Sequence, residues 1–289
     1  MNRPFANTVL LILAFAFVLV GSAAAAQPLK VCPSGCPYTT IQSAVGAAHE
    51  GDTIQIAAGT YPGASINKSV KLLGAGANET AIGWLTVGIG VSVTVSDVTV
   101  SGSTNSGVFN QGELTIKNST VSGNRSTGVG GGIYNHYTGV LLLQSVKVTG
   151  NDAVSGAGIY NLNEITLQSS EISNNVASLY GGGIWNHGTT TLKDSAVDGN
   201  TAYDSGGLYN VAGLITATHS SVTNNSVTFG GANILNGGSG TMALRDTTVS
   251  GNVAITNGGG IYNFGDLTIT HSTITGNTAR HGGGVFNSG

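Results

Sequence analysis

Asp194, His219, Asp246 and His271 occur one per repeat in a sequence that recurs about every 25 residues, each of them six positions ahead of an Asn. Coils stacked in register would place successive members about 4.8 Å apart. A carboxylate beside an imidazole raises the basicity of the ring, so such pairs have the composition for acid–base chemistry or for metal binding. The same column begins with Asn118, Ser145 and Ser169. A corner of each coil that selects short polar side chains, hydrogen-bonded along the stack, accounts for all seven residues. The column therefore reads as structural, and those four residues are the only catalytic candidates.

A second column is aromatic. Phe109, Tyr134, Tyr160, Trp185, Tyr209, Tyr262 and Phe286 take the same place in their repeats, with Leu235 as the exception. If the preceding Val108, Ile133, Ile159, Ile184 and Ile261 point inward, strand alternation turns the rings outward. A row of exposed rings would bind sugar rings or a partner protein. The competing readings are that ring stacking holds neighbouring coils together, or that the rings face the core. His136 and His187 follow their Asn residues two coils apart, too far to share a ligand, and read as surface residues.

Other chemistry is not assembled. Glu113, Asp152, Glu164, Glu171, Asp198, Asp204 and Asp266 are scattered singly along the chain and read mostly as solvated surface charges. The Gly-rich runs carry no Asp where a calcium nonapeptide needs one. Gly74-Ala-Gly76 lacks the third Gly of a dinucleotide loop, and no Gly-x-Ser-x-Gly occurs. The sequence gives no cofactor motif and no metal site.

The elements that would position these columns follow from the period. One set of stations ends at Asn110, Asn135, Asn161, Asn186, Asn210, Asn236, Asn263 and Asn287, and a second at Asn124, Asn151, Asn175, Asn200, Asn225, Asn252 and Asn277. Two interleaved ladders with one period specify a solenoid. Three residues before the second Asn the side chain is always Val or Ile, as in Val121 and Ile172; pairs such as Leu114/Ile116 and Leu141/Leu143 alternate with polar residues. That is the period of short strands with one face inside. Just before the second Asn stand only Gly or Asn (Gly123, Gly150, Asn174), the types that reach left-handed angles at low cost. A similar corner is expected three residues before the first Asn, at Gly107, Gly132, Gly158, Gly183, Gly207, Asn233, Gly260 and Gly284. The result is an all-β parallel β-helix. At the N-terminal end, Thr39 and Thr40 precede a short helix over residues 41–48, apolar at 41, 44, 45 and 48, which would cap the first coil. Strands follow at 53–57 and 69–73.

Residues 1–26 combine Arg3, the apolar run Val9–Val20 and an Ala-rich A-x-A site, the pattern of a secretory signal peptide cleaved before Gln27. Residues 27–75 form the cap and first coils; residues 76–289 form the repeats, with no atypical closing unit, so a continuation or partner is expected at the C-terminal end. No later segment is apolar for long enough to span a membrane. Only 8% of residues are charged and the net charge is −3, too few cations for a nucleic-acid footprint. Cys32 and Cys36, the only cysteines in an exported chain, are expected to form a disulfide.

Thr40-Ile-Gln-Ser-Ala-Val-Gly-Ala-Ala48, Gly51-Asp-Thr-Ile-Gln-Ile56, Gly59-Thr-Tyr61 and Ser69-Val-Lys-Leu-Leu-Gly74 resemble the opening of pectin-lyase-like right-handed β-helix proteins. The Gly-Gly-Gly-Ile-Tyr-Asn runs at 130–135 and 258–263, and the Trp185 version at 181–186, are similar to those of exported β-helix surface proteins, including the chlamydial polymorphic outer-membrane type. The resemblance implies a right-handed parallel β-helix and leaves activity open, since this fold hosts lyases, hydrolases, esterases, epimerases and adhesins. Lyases of the fold use clustered carboxylates with calcium and an Arg or Lys base; its hydrolases and esterases use closely placed Asp. None of these sets maps onto this chain.

The leading expectation is a secreted or cell-surface, non-catalytic rod that binds an extracellular polysaccharide, a cell-surface glycan or a protein, as an adhesin does. A polysaccharide-degrading enzyme, a lyase or hydrolase working through the Asp/His column, is the alternative. Ice binding is a minor one: Thr120-Val-Ser122, Ser221-Val-Thr223, Thr248-Val-Ser250 and Thr273-Ile-Thr275 alternate hydroxyls, but Lys147, Glu171, Ala196 and Asp198 interrupt them.

Overall fold

The computed structural model describes residues 27–288, so the leader assigned to residues 1–26 lies outside the described residues. A single coil shows how the sequence becomes shape. Ile159–Asn161 turns through Asn163 into Glu164–Gln168, bends at Ser169 into Glu171–Ser173, bends again at Asn174 into Val176–Tyr180, and returns one layer higher at Ile184–Asn186. Every strand pairs in parallel with its counterpart in the next coil. The stack builds a long sheet of 11 strands (Leu29–Val31 to Asp266–Thr270), a hydroxyl-rich sheet of 10 (Gly59–Tyr61 to Thr273–Thr275) and a ring-bearing sheet of 10 (Ala64–Ile66 to Val285–Asn287). A fourth sheet of four short strands, Asp152–Ser155 to Ser226–Val227, widens the middle coils over a small cluster of Ala153, Ala157, Ala177 and Ala202. This is the parallel β-solenoid expected from the repeat.

The core is the stack of inward residues. Leu114, Ile116, Val121 and Ile133, from successive faces of the tube, are 0–2% exposed, and each such side chain contributes about 1.5–3 kcal/mol by leaving water. In the ring-bearing strands the second inward position is Asn, equally buried: Asn110, Asn135, Asn161, Asn186, Asn210 and Asn236 are 0% exposed. Each Nδ2 donates to Oδ1 of the Asn one coil on, at 2.8–2.9 Å, from Asn110 through Asn287. The second ladder does the same at 2.9–3.0 Å from Asn124 through Asn277. The other Nδ2 hydrogen finds a backbone carbonyl, Val121 O for Asn151 at 3.0 Å. Buried amides are tolerated because the chain of donors and acceptors is complete.

The corner before the second Asn is left-handed as expected, with φ of 54–66° at Gly123, Gly150, Asn174, Gly199, Asn224, Gly251 and Gly276. The corner expected at Gly132 and its equivalents is not there. Left-handed angles occur two residues earlier instead, at Gly130, Gly156, Gly181, Ser205, Gly258 and Gly282. Gly132 is required by contact: a Cβ there would lie 2.6 Å from Gly158 O, 2.8 Å from Val148 Cγ1 and 2.9 Å from Asn151 Nδ2. At Gly132 the backbone passes directly against the second Asn ladder, and only a missing side chain permits that approach there.

At the N-terminal end, Ile41–Ala47 is helical, and Thr40 Oγ1 accepts from Ser43 N at 3.1 Å as N-cap. Its Ile41, Ala44 and Val45 join Val31 and Ile54 in the core, so the helix closes that end of the tube. A first strand, Leu29–Val31, which the sequence pattern did not reveal, pairs with Ile54–Ile56; the Cys32–Cys36 disulfide, S–S 2.08 Å, follows it directly. In the last coil Ile269 and Val285 are 36% and 38% exposed, where Leu244 and Ile261 beneath them are buried.

Candidate functional site

Asp194, His219, Asp246 and His271 stand in register at the bend between the long sheet and the hydroxyl-rich sheet. All have φ of 49–51°, and Asn118, Ser145 and Ser169 take 45–55° at the same bend. Asp97, φ 60°, extends the column one coil toward the N-terminus. Asn, Asp and His are the non-glycine residues most often found at such angles, so backbone geometry explains why these types recur. Their backbone N–H groups continue the coil-to-coil bonding, Asp194 N to Thr218 O at 3.1 Å and His219 N to Arg245 O at 3.2 Å.

One pair meets: His219 Nε2 lies 3.7 Å from Asp246 Oδ2, with Arg245 Nε at 3.2 Å from the same oxygen. The His side chain is 62% exposed, and the Arg claims the carboxylate at closer range. Among the described residues no comparable contact joins Asp194 to His219, or Asp246 to His271. A shallow groove of about 500 Å³ runs past Asp194, Asp198 and His219; Asp198 there accepts from Thr223 Oγ1 at 2.6 Å and Asn224 Nδ2 at 2.8 Å. Open, solvated pairs of this kind contribute 0–1 kcal/mol. The scattered acids likewise form surface pairs, Arg125–Asp152 and Lys147–Glu171, each at 3.3 Å. The latter sits on the outer face of the hydroxyl-rich sheet, where it interrupts the row of Thr and Ser. Among the described residues no three His, Cys, Asp or Glu side chains converge as metal ligands.

The aromatic column faces outward. From Val108–Asn110 to Ile261–Asn263 the flanking apolar residue and Asn are buried and the middle residue is half-buried, as in Ile133-Tyr134-Asn135. Phe109, Tyr134, Tyr160, Trp185 and Tyr209 pair in register through five coils; Leu235 follows, then Tyr262 and Phe286. Ring centroids are 5.1 Å apart for Phe109–Tyr134, 5.4 Å for Tyr134–Tyr160 and 4.1 Å for the parallel Tyr160–Trp185 stack. The reading that placed the rings in the core is excluded by this alternation. Burial, and beyond it the neighbouring Tyr134, pushes the Tyr160 phenol above its ordinary pKa; burial followed by Tyr180 and Asp204 does so for Tyr209. His136 and His187 join the edge of the row: His136 lies 5.8 Å from Phe109, and His187 stacks at 15° and 6.2 Å on Trp185.

Trp84 lies outside the column. Trp84, 39% exposed, stands one coil before Phe109 and lines a recess of about 830 Å³ whose walls include Phe109 and Tyr134. It precedes its strand instead of occupying the repeating position, so no periodic signal marks it.

Two short segments, residues 118–136 and 246–263, match the Chlamydia polymorphic membrane protein repeat. Each runs from the left-handed corner through a second-ladder Asn to a ring strand. No curated protein matches the chain in sequence. Among solved structures, the pectin methylesterase from Aspergillus niger in deglycosylated form is similar at 11% identity, over 91% of this chain and 88% of its own, with a TM-score of 0.38, a likeness too distant to bear on activity.

Proposed function

We propose that this chain is an exported, non-catalytic β-solenoid that acts at a cell surface or in the extracellular matrix as a glycan-binding rod or adhesin. The observation that carries this reading is the outward row from Phe109 to Tyr209, five rings in register on one face. Aromatic faces take the C–H faces of sugars, and rigid rings do so with little loss of side-chain freedom. The two matched repeat segments support a surface location, since the family they match is named for a membrane protein. The test is the double variant Tyr160→Ser/Trp185→Ser, assayed on a glycan array and by cell adhesion. Binding should be lost, while stability falls by only about 0.5–1.5 kcal/mol for each ring pair removed. Undiminished binding would reject the row as the binding face.

A polysaccharide-degrading activity rests on the His219–Asp246 contact alone. Release of unsaturated or reducing ends from pectins, lost in Asp194→Ala/Asp246→Ala, would replace the first reading with this one.

A further inference from the structure

Resting on the glycan-binding reading, we infer that the recess between Trp84 and Phe109 is a terminal subsite, which holds the end of an uncharged oligosaccharide chain laid along the ring row. The recess arises from a change of residue in the column itself. One coil before Phe109 the outward position in register is Thr86, so the row of rings steps down to a hydroxyl. The space thus opened, about 830 Å³, lies in the range of small-molecule sites. Trp84, from the same coil as Thr86, forms part of its wall. Its indole is seated over Gly63, where a Cβ would come within 2.2 Å of the ring, so the glycine is what lets the wall stand there.

The side wall is prebuilt. Ser103 Oγ donates to Ser106 O at 3.1 Å and accepts from Asn105 N at 3.2 Å, and Ser106 Oγ donates to Val129 O at 3.3 Å. Ser103 N donates to Asn124 Oδ1 at 3.1 Å. The first Asn of the second ladder thus fixes the turn that borders the recess. Because its own hydrogen bonds hold this turn, a ligand need not order it, which removes a cost of binding.

The lining identifies the ligand class. Trp84, Phe109 and Tyr134 supply apolar faces; Thr86, Thr104 and Asn105 supply hydroxyls and an amide; none of the lining residues is charged. That is the complement of a sugar with C–H faces and hydroxyl edges. A uronate or sulfate would enter without a counter-ion and lose hydration uncompensated.

The chain has two tryptophans, Trp84 and Trp185, so the full-length native protein carries one indole outside the row, whose emission is the part of the signal missing from Trp84→Phe. Both proteins are titrated with cellohexaose, mannohexaose, xylohexaose, chitohexaose and hexagalacturonate, following Trp84 emission and, in parallel, heat of binding. We expect a saturable emission change with at least one neutral oligosaccharide, and binding of hexagalacturonate weaker by about tenfold or more. Trp84→Ala in the otherwise native chain should weaken the same neutral ligand by about tenfold. Asn105→Ala, on the exposed turn, should weaken it by roughly threefold without loss of folding. Binding heat that is abolished by Tyr160→Ser while Trp84 emission stays unmoved, or an affinity insensitive to Asn105→Ala and Trp84→Ala, overturns the subsite and leaves the ring row standing. Tighter binding of hexagalacturonate than of every neutral ligand overturns the ligand class. No binding heat with any ligand rejects the glycan-binding reading itself.

Discussion

Asn151 donates twice to one atom of Asn175: its Nδ2 lies 2.9 Å and its backbone N 3.0 Å from Oδ1 of that residue one coil on. Asn175 repeats the gesture toward Asn200 and donates its remaining hydrogen back to Val148 O at 3.0 Å. The amide thus ties three coils together in a place with no water to replace it.

Asn175→Ala should therefore cost about 3 kcal/mol or more, because two donors of Asn151 and the Val148 carbonyl lose their partner while buried. Asn175→Asp should be worse still, since a carboxylate cannot donate to Asn200 or to Val148 and carries charge into the core. Urea denaturation of the three proteins is the check; an Asn175→Ala midpoint equal to that of the native chain would refute the ladder as a source of stability.

Glycines at two columns should respond in opposite ways. Gly123 (φ 62°) has open space for at least 4 Å around the place a Cβ would take, and Asn occupies that corner at 174 and 224, so Gly123→Asn should be nearly neutral. Gly123→Val should cost about 1–2 kcal/mol in backbone strain. At Gly132, where the angle is ordinary, even Ala collides with Gly158 O, and Gly132→Ala should destabilise by roughly 1–3 kcal/mol. A Gly132→Ala melting temperature equal to that of the native chain, or a Gly123→Asn one well below it, would contradict the packing argument.

The Asp/His corner should behave as a backbone feature. His219→Asn and Asp246→Asn keep a residue suited to φ 49°, so each should change stability by less than about 1 kcal/mol. His219→Val should cost roughly 1–2 kcal/mol from the same angle. Calorimetric melting of the set decides; equal losses for Asn and Val would mean that side-chain chemistry, not conformation, selects this column.

Three phenols give a pH signature. Burial raises the pKa of Tyr61, and burial with neighbouring groups raises those of Tyr160 and Tyr209, above the ordinary 10.0. The folded chain then holds these protons more tightly than the unfolded one, so their contribution is complete below about pH 10 and is lost as pH rises through the folded values. Thermal stability should fall as pH rises above about 10, and Tyr160→Phe/Tyr209→Phe should flatten the decline. An unchanged slope in that double variant would show that these rings do not couple to folding.

The sequence by itself determined the coil. Residue parity is a property of the strand, so the alternation in Ile133-Tyr134-Asn135 could be read without coordinates, but which side faces the core was left open until the structure placed the rings outward and the Asn inward. The corner at Gly123 and the Thr40 cap were legible for the same reason: a local backbone angle or one local hydrogen bond selects the residue type. The corner placed at Gly132 was misread because two different demands, a left-handed angle and close approach, both select glycine, and sequence does not separate them.

Only the tertiary structure decided what meets across coils. It showed that the Asn residues join side chain to side chain, that His219 touches an Asp246 already held by Arg245, and that Asp194 stands apart. It also placed Trp84 in the wall of the recess with Phe109 and Tyr134, beside the turn at 103–106. Period and parity are written into each repeat, whereas these contacts depend on loops of unequal length and on the register between coils. Residues distant along the chain become neighbours only when the coils stack.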